Sequence, residues 1–163
     1  MSRFILLDSA PMSLLAKPAT TVEVQAIAQW ATECLTYGWK IVIPEIVDYE
    51  VRRELLRAGR VSSVNRLDGL KARFDYLPLT TDAMRKAAEL WAEVRQKGLA
   101  TAPVENIDID VILAAQALTC GVNLDDIVVA TSNPRHLTRF IAADLWRDIS
   151  PDDSADRAAA NNP

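Results

Sequence analysis

The sequence predicts an α/β fold with a central, mostly parallel sheet covered by helices on both faces. Three observations carry that expectation. Residues 4–7, 40–43 and 127–130 are short runs dominated by Ile, Leu and Val, and strands buried on both faces read as continuous apolar runs rather than as an alternation. Between them lie longer stretches with apolar residues at helical spacing, and strands alternating with helices imply parallel pairing. Two of the runs lead directly into polar residues, Asp8 and the Thr131, Ser132, Asn133 triplet, at what would be the carboxyl edge of such a sheet.

Composition bounds the function. A chain of 163 residues with 50% hydrophobic content is long enough for one domain with a sizeable core and short for two. The domain is expected over residues 1–150, followed by a disordered tail at 151–163, rich in Asp, Ala and Asn. A net charge of −4 and a pI near 5.0 exclude a protein that coats nucleic acid by bulk charge. Cys34 and Cys120 stand apart in helical segments, without CxxC spacing, and read as reduced thiols of a cytoplasmic protein. The first apolar run is too short for a signal sequence and is stopped by Asp8, and no stretch reaches membrane-spanning length.

Taken in order, residues 4–7 are the first strand and Asp8 stands at its end, as a helix cap, a functional carboxylate or both. A short helix follows over residues 11–16. Thr20 and Glu23 fit a capping box, after which Val24, Ile27, Ala28, Ala31 and Leu35 line one helical face up to Gly38. Residues 40–43 are the second strand, and Pro44 opens a helix to Ala58 with Gly59 behind it. That helix carries Glu45, Asp48, Glu50 and Glu54 with Arg52, Arg53 and Arg57. Its charges read equally as a solvated face with internal ion pairs.

Residues 61–75 are expected to form another helix, with Arg66, Lys71 and Arg73 adding to a positive patch that includes Arg60. Tyr76 to Leu79 read as a short extended piece. A helix from Thr80 to Gly98 is expected to bury Met84, Ala87, Ala88, Trp91 and Val94. A loop over residues 97–105 then delivers the chain to residues 106–118, an apolar helix with Asp108 and Asp110 at its mouth. Asp in a first helical turn is favoured by the free N–H groups and the macrodipole, so Asp108 reads as a cap. Residues 127–130 are the clearest strand, Asn133 is a cap or a functional group before Pro134, and residues 142–149 contain a last edge strand.

Asp8 and Asn133 should share one edge of the sheet, and the helix that begins near Asp110 can reach it. Oxygen donors without His or Cys suit Mg²⁺ or Mn²⁺, and carboxylates crowded without a cation raise one another's pKa. Such a site can polarise a phosphoryl oxygen and activate water, so metal-dependent phosphodiester chemistry is the sharpest expectation. Phosphate loops, zinc spacings, repeats and helix-turn-helix signatures are absent from the sequence.

Leu6, Leu7 and Asp8; Ile46 through Glu50 to Leu55; Asp110 with Leu113, Ala114, Ala115 and Ala117; and Val129 through Asn133 to His136 resemble, in order, the four motifs of the PIN-domain ribonucleases. The resemblance spans residues 2–150. It implies a Rossmann-like three-layer α/β/α fold, endonucleolytic cleavage of RNA, and a Mg²⁺ or Mn²⁺ cofactor held by Asp8, Glu50 and Asp110, with Asn133 as the polar fourth position. Members of this size are often VapC-type toxins paired with an antitoxin, commonly as homodimers. Arg52, Arg53 and Arg57, with Arg60 and Arg66, would meet the RNA. A non-catalytic scaffold that binds RNA or protein is the alternative.

Overall fold

The computed structural model describes residues 2–98 and 104–152. Most of the expected tail, residues 153–163, lies outside them, as do residues 99–103 of the expected loop. In chain order the elements are β1 (Phe4–Leu7), α1 (Ser9–Leu15), α2 (Val22–Thr36), β2 (Lys40–Pro44), α3 (Glu45–Arg57), α4 (Val61–Leu70), β3 (Asp75–Leu77), α5 (Thr81–Gln96), α6 (Val104–Thr119), β4 (Ile127–Thr131) and β5 (Ala143–Leu145). The strands form one sheet in the order β3-β2-β1-β4-β5, and every pairing is parallel.

Successive residues of a strand point to opposite faces. Ile5, Leu6 and Leu7 are nonetheless all buried, as are Ile41, Val42 and Ile43, so both faces of the central strands are covered and the sheet is the middle of three layers. From β1 the chain builds outward through β2 to β3, then returns to the other side of β1 for β4 and β5. The reversal lies between β1 and β4, and crevices at the carboxyl ends of strands at such a point are where open α/β sheets bind ligands.

Long-range polar contacts fix the packing. Gln116 on α6 is 1% exposed; its amide nitrogen donates to the Leu77 carbonyl at 2.8 Å and its oxygen accepts from the Ile46 backbone N–H at 3.2 Å. One carboxamide thus supplies a partner to a free N–H of the first turn of α3, where Pro44 offers no side-chain cap, and pins the end of β3. The Trp30 and Trp39 indoles donate to the carbonyls of Ile149 and Pro151, each at 3.0 Å. The C-terminal end of the domain is therefore strapped down through Pro151, the first residue of the expected tail.

Several expectations are corrected. The helix expected over residues 61–75 ends at Leu70, and Asp75–Leu77 joins the sheet as an edge strand. On α5 the buried residues are Ala83, Ala87, Leu90 and Val94, whereas Met84 and Trp91 are 46% and 38% exposed. Ala83 and Ala87 turn inward, which allows close packing on α6, while Ala88, also expected in the core, is exposed. Thr21, rather than Thr20, caps α2 by accepting from the Val24 N–H. Pro44 ends β2 and precedes α3 instead of opening it. The last strand is only Ala143–Leu145. Among the described residues no helix is long and apolar enough to cross a membrane.

Candidate active site

A cleft of about 200 Å³ opens at the switch point, lined by Asp8, Ser9, Glu50, Ile109, Asp110, Thr131, Ser132, Asn133 and His136. The four residues singled out for the site, Asp8, Glu50, Asp110 and Asn133, all contribute to its wall. Each comes from a different element, so their meeting is a consequence of the sheet order.

Asp8 follows the last residue of β1 and caps α1. Its Oδ1 accepts from the Ser9 N–H at 2.7 Å and its Oδ2 accepts from the Thr131 hydroxyl at 2.6 Å. Asp8 thus caps α1 and lines the cleft at once. A carboxylate oxygen has two acceptor positions, so both oxygens keep capacity toward the cleft. Thr131, 1% exposed at the end of β4, also accepts from the Asn133 N–H at 3.1 Å. Its single hydroxyl orients Asp8 and shapes the backbone that presents Asn133. Asn133 occupies the N-cap position of the 3₁₀ turn Pro134–His136, as expected, but its side chain makes no capping bond there.

α6 starts at Val104, earlier than the sequence suggests, and Asp108 and Asp110 occupy its second turn instead of its mouth. Asp108 is therefore no cap. Two residues along a helix rotate by about 200°, which sends Asp108 to solvent and Asp110 into the cleft. Burial, then the negative charge of Asp8, lifts the Asp110 carboxyl to about 6, with Glu50 adding to the rise and His136 and Arg139 opposing it. His136 Nδ1 stands 3.5 Å from Asp110 Oδ2, a salt bridge only when the imidazole is protonated.

Glu50 lies on α3. Burial and the Asp8 charge raise its pKa, partly offset by a Ser9 hydrogen bond and by Arg53. Asp8 thus acts on both other carboxylates, and Glu50 acts on Asp110. Among the described residues no group of three Asp, Glu, His or Cys side chains forms a ready-made metal cage. The donor chemistry nonetheless fits a hard cation: three carboxylates crowd a partly desolvated cleft with too little positive charge to balance them.

The arginines divide. Arg52, expected at an RNA-facing surface, bridges Asp48 at 2.8 Å and Asp68 at 2.7 Å. Lys71 of the same expected patch turns toward Asp48 at 3.4 Å. Arg57 pairs with Glu54 on the exposed side of α3, and Arg53 lies over the Tyr49 ring at 5.2 Å. Sequence reasoning assigned no role to Thr131 or Ser9; a hydroxyl residue ending a strand or opening a helix is ordinary, and only the sheet order places them against Asp8.

No family model matches this chain, and no curated protein matches it. Solved structures do. VapBC2 from Rickettsia felis bound to a promoter DNA fragment is similar over 88% of this chain and 98% of that chain, with a TM-score of 0.63 and 16% identity. VapBC-1 from nontypeable Haemophilus influenzae gives 89% and 99%, a TM-score of 0.60 and 15% identity. For DNA-bound VapBC from Salmonella typhimurium the values are 90%, 99%, 0.57 and 21%. At such identities the likeness speaks to architecture: the chain has the three-layer, PIN-like fold of chains in the VapBC structures.

Proposed function

We propose that this protein is a metal-dependent endoribonuclease acting as the toxin of a VapC-type pair. The observation that carries the reading is the meeting of Asp8, Glu50 and Asp110 in one cleft at the switch point, where their charges oppose one another. These three would hold Mg²⁺ or Mn²⁺, consistent with an all-oxygen donor set. Such an ion, when bound, neutralises the carboxylates and lends Lewis acidity to a phosphoryl oxygen. Thr131 and Ser9 hold Asp8 in one orientation, Asn133 offers an amide to the phosphate, and His136, 3.5 Å from Asp110, can carry a proton at the cleft wall. Arg53 and Arg57 are the cations of α3 left to meet RNA.

The structural likeness to VapBC complexes supports an antitoxin partner, and RNA as substrate, a homodimer and a cytoplasmic setting belong to the same proposal. The absence of a ready-made metal cage among the described residues favours a second reading, a scaffold that binds RNA or protein without turnover. The test is cleavage of a pool of structured RNAs by purified protein with Mg²⁺, with Mn²⁺ or with EDTA, beside Asp8→Asn and Asp110→Asn. Metal-dependent cutting lost in both variants is the expected result. Wild type that neither cuts nor binds either ion would leave the scaffold.

A further inference from the structure

A second concavity, of about 350 Å³, lies beside the cleft and shares Thr131 and Ser132 with it. Its floor is apolar, with Leu14 of α1 and the 40% exposed Leu145 of β5. Arg147 forms one wall and is held twice: its guanidinium lies 4.6 Å over the buried Trp146 ring and donates to Glu23 at 3.0 Å. Fixed in this way, it presents a flat cationic face. Lys17 stands at the rim, exposed, and makes no ion pair among the described residues. Ser13 and Ser132 add hydroxyls.

We propose that this groove is a nucleotide subsite that takes the RNA residue adjoining the scissile phosphate. The inference rests on the ribonuclease reading of the cleft. Its volume is near the lower end of small-molecule pockets, about 300–1,000 Å³, which suits one nucleotide. Unstacked bases bind on apolar side chains and guanidinium planes: the base would lie on Leu14, Leu145 and Arg147, and its phosphate would meet Lys17. Glu23 is neutralised by Arg147, so Lys17 leaves the rim net positive, complementary to a phosphodiester strand. Thr131 and Ser132 line both concavities, so the groove adjoins the cleft in which that phosphate would lie.

The test is titration of ¹⁵N-labelled full-length protein with a mixed-sequence nine-nucleotide single-stranded RNA in EDTA, so that binding is read apart from cleavage. The Trp146 indole and the Ser13, Lys17 and Ser132 amides are expected to shift, while the Trp39 indole, which lines neither concavity and donates to the Pro151 carbonyl, stays. Lys17→Glu and Leu14→Glu should each weaken binding fivefold or more, with Asp8→Asn still binding. Circular dichroism checks folding, and Lys17→Ala, on an exposed side chain, gives a milder change if Leu14→Glu fails to fold. Unchanged affinity in both Lys17 variants overturns the subsite. If wild type and Lys17→Glu cleave RNA in Mg²⁺ with equal KM, the subsite falls and the nuclease stands; if wild type neither binds nor cleaves RNA, both fall. Shifts at these residues produced by raising protein concentration alone would give the groove to a second copy of the chain, and the proposal would fail.

Discussion

Asp48 and Glu50 are two residues apart on α3, yet they live in opposite electrostatic worlds. Asp48 is 5% exposed and saturated: Arg52 reaches it at 2.8 Å, Lys71 at 3.4 Å, and the Tyr76 hydroxyl donates at 3.2 Å. Glu50 leaves the helix on the other side and faces Asp8 and Asp110, where burial and like charge raise its pKa. Both carboxylates sit on one helix and both lose water. The difference is the cations, which the fold gathers around Asp48 to join α3, α4 and β3, and largely withholds from the cleft. An acidic residue that is buried and compensated holds the molecule together; one that is buried and undercompensated is a candidate for chemistry.

Substitutions on the two sides should break that contrast in opposite ways. The largest effect expected is on the cleft side, where Asp8→Asn or Asp110→Asn lowers metal-dependent RNA cleavage by at least about a hundredfold, measured as initial rates at saturating Mg²⁺. Next, Asp48→Ala leaves Arg52 and Lys71 without their shared partner and should cost about 2–3 kcal/mol; the partial exposure of both cations keeps this below a fully buried pair. Thermal unfolding should show a fall of about 5–10 °C, and an unchanged midpoint would contradict the structural role given to Asp48.

Thr131→Val removes the hydroxyl that Asp8 accepts from and should cost on the order of 1 kcal/mol, together with part of the cleavage rate. The smallest effect is a gain. Asp110 binds its proton more tightly in the folded chain, with a pKa raised from 3.8 to about 6, so its contribution to stability is present at low pH and is lost as pH rises through about 6. Asp110→Asn should therefore stabilise the metal-free protein on the order of 1 kcal/mol at pH 7 and make little difference below the ordinary carboxyl pKa. Denaturant titrations at pH 3.5 and 7 measure both. The same shift predicts that calorimetric Mg²⁺ or Mn²⁺ affinity strengthens as pH rises through about 6, with protons released on binding.

Much of the architecture was legible because the central strands are buried on both faces, which leaves little room for polar residues in 4–7, 40–43 and 127–130. Tyr76 and Leu77 were legible as extended but not as part of the sheet, and Asp75 was placed in the preceding helix, since a three-residue edge strand carries no periodicity of its own. The face of α5 was misread through size: Met84 and Trp91 look like core, but close packing on α6 favours Ala83 and Ala87. In the site, Asp8 and Asp110 stood out as carboxylates next to apolar runs, whereas Glu50, one of several charges on its helix, was singled out only by the resemblance. The double bridge of Arg52 was not legible, because Asp48 is one turn away but Asp68 is on another helix, and that pairing exists only in the fold. Thr131 was legible as part of a polar triplet, but its bond to Asp8 likewise exists only in the fold.

The carboxamide of Gln116 joins α6, which carries Asp110, to the first turn of α3, which carries Glu50, and to the end of β3. Two walls of the cleft are thereby geared to one another by a single buried amide. The relative placement of Asp110 and Glu50 thus rests in part on an amide that does not itself line the cleft.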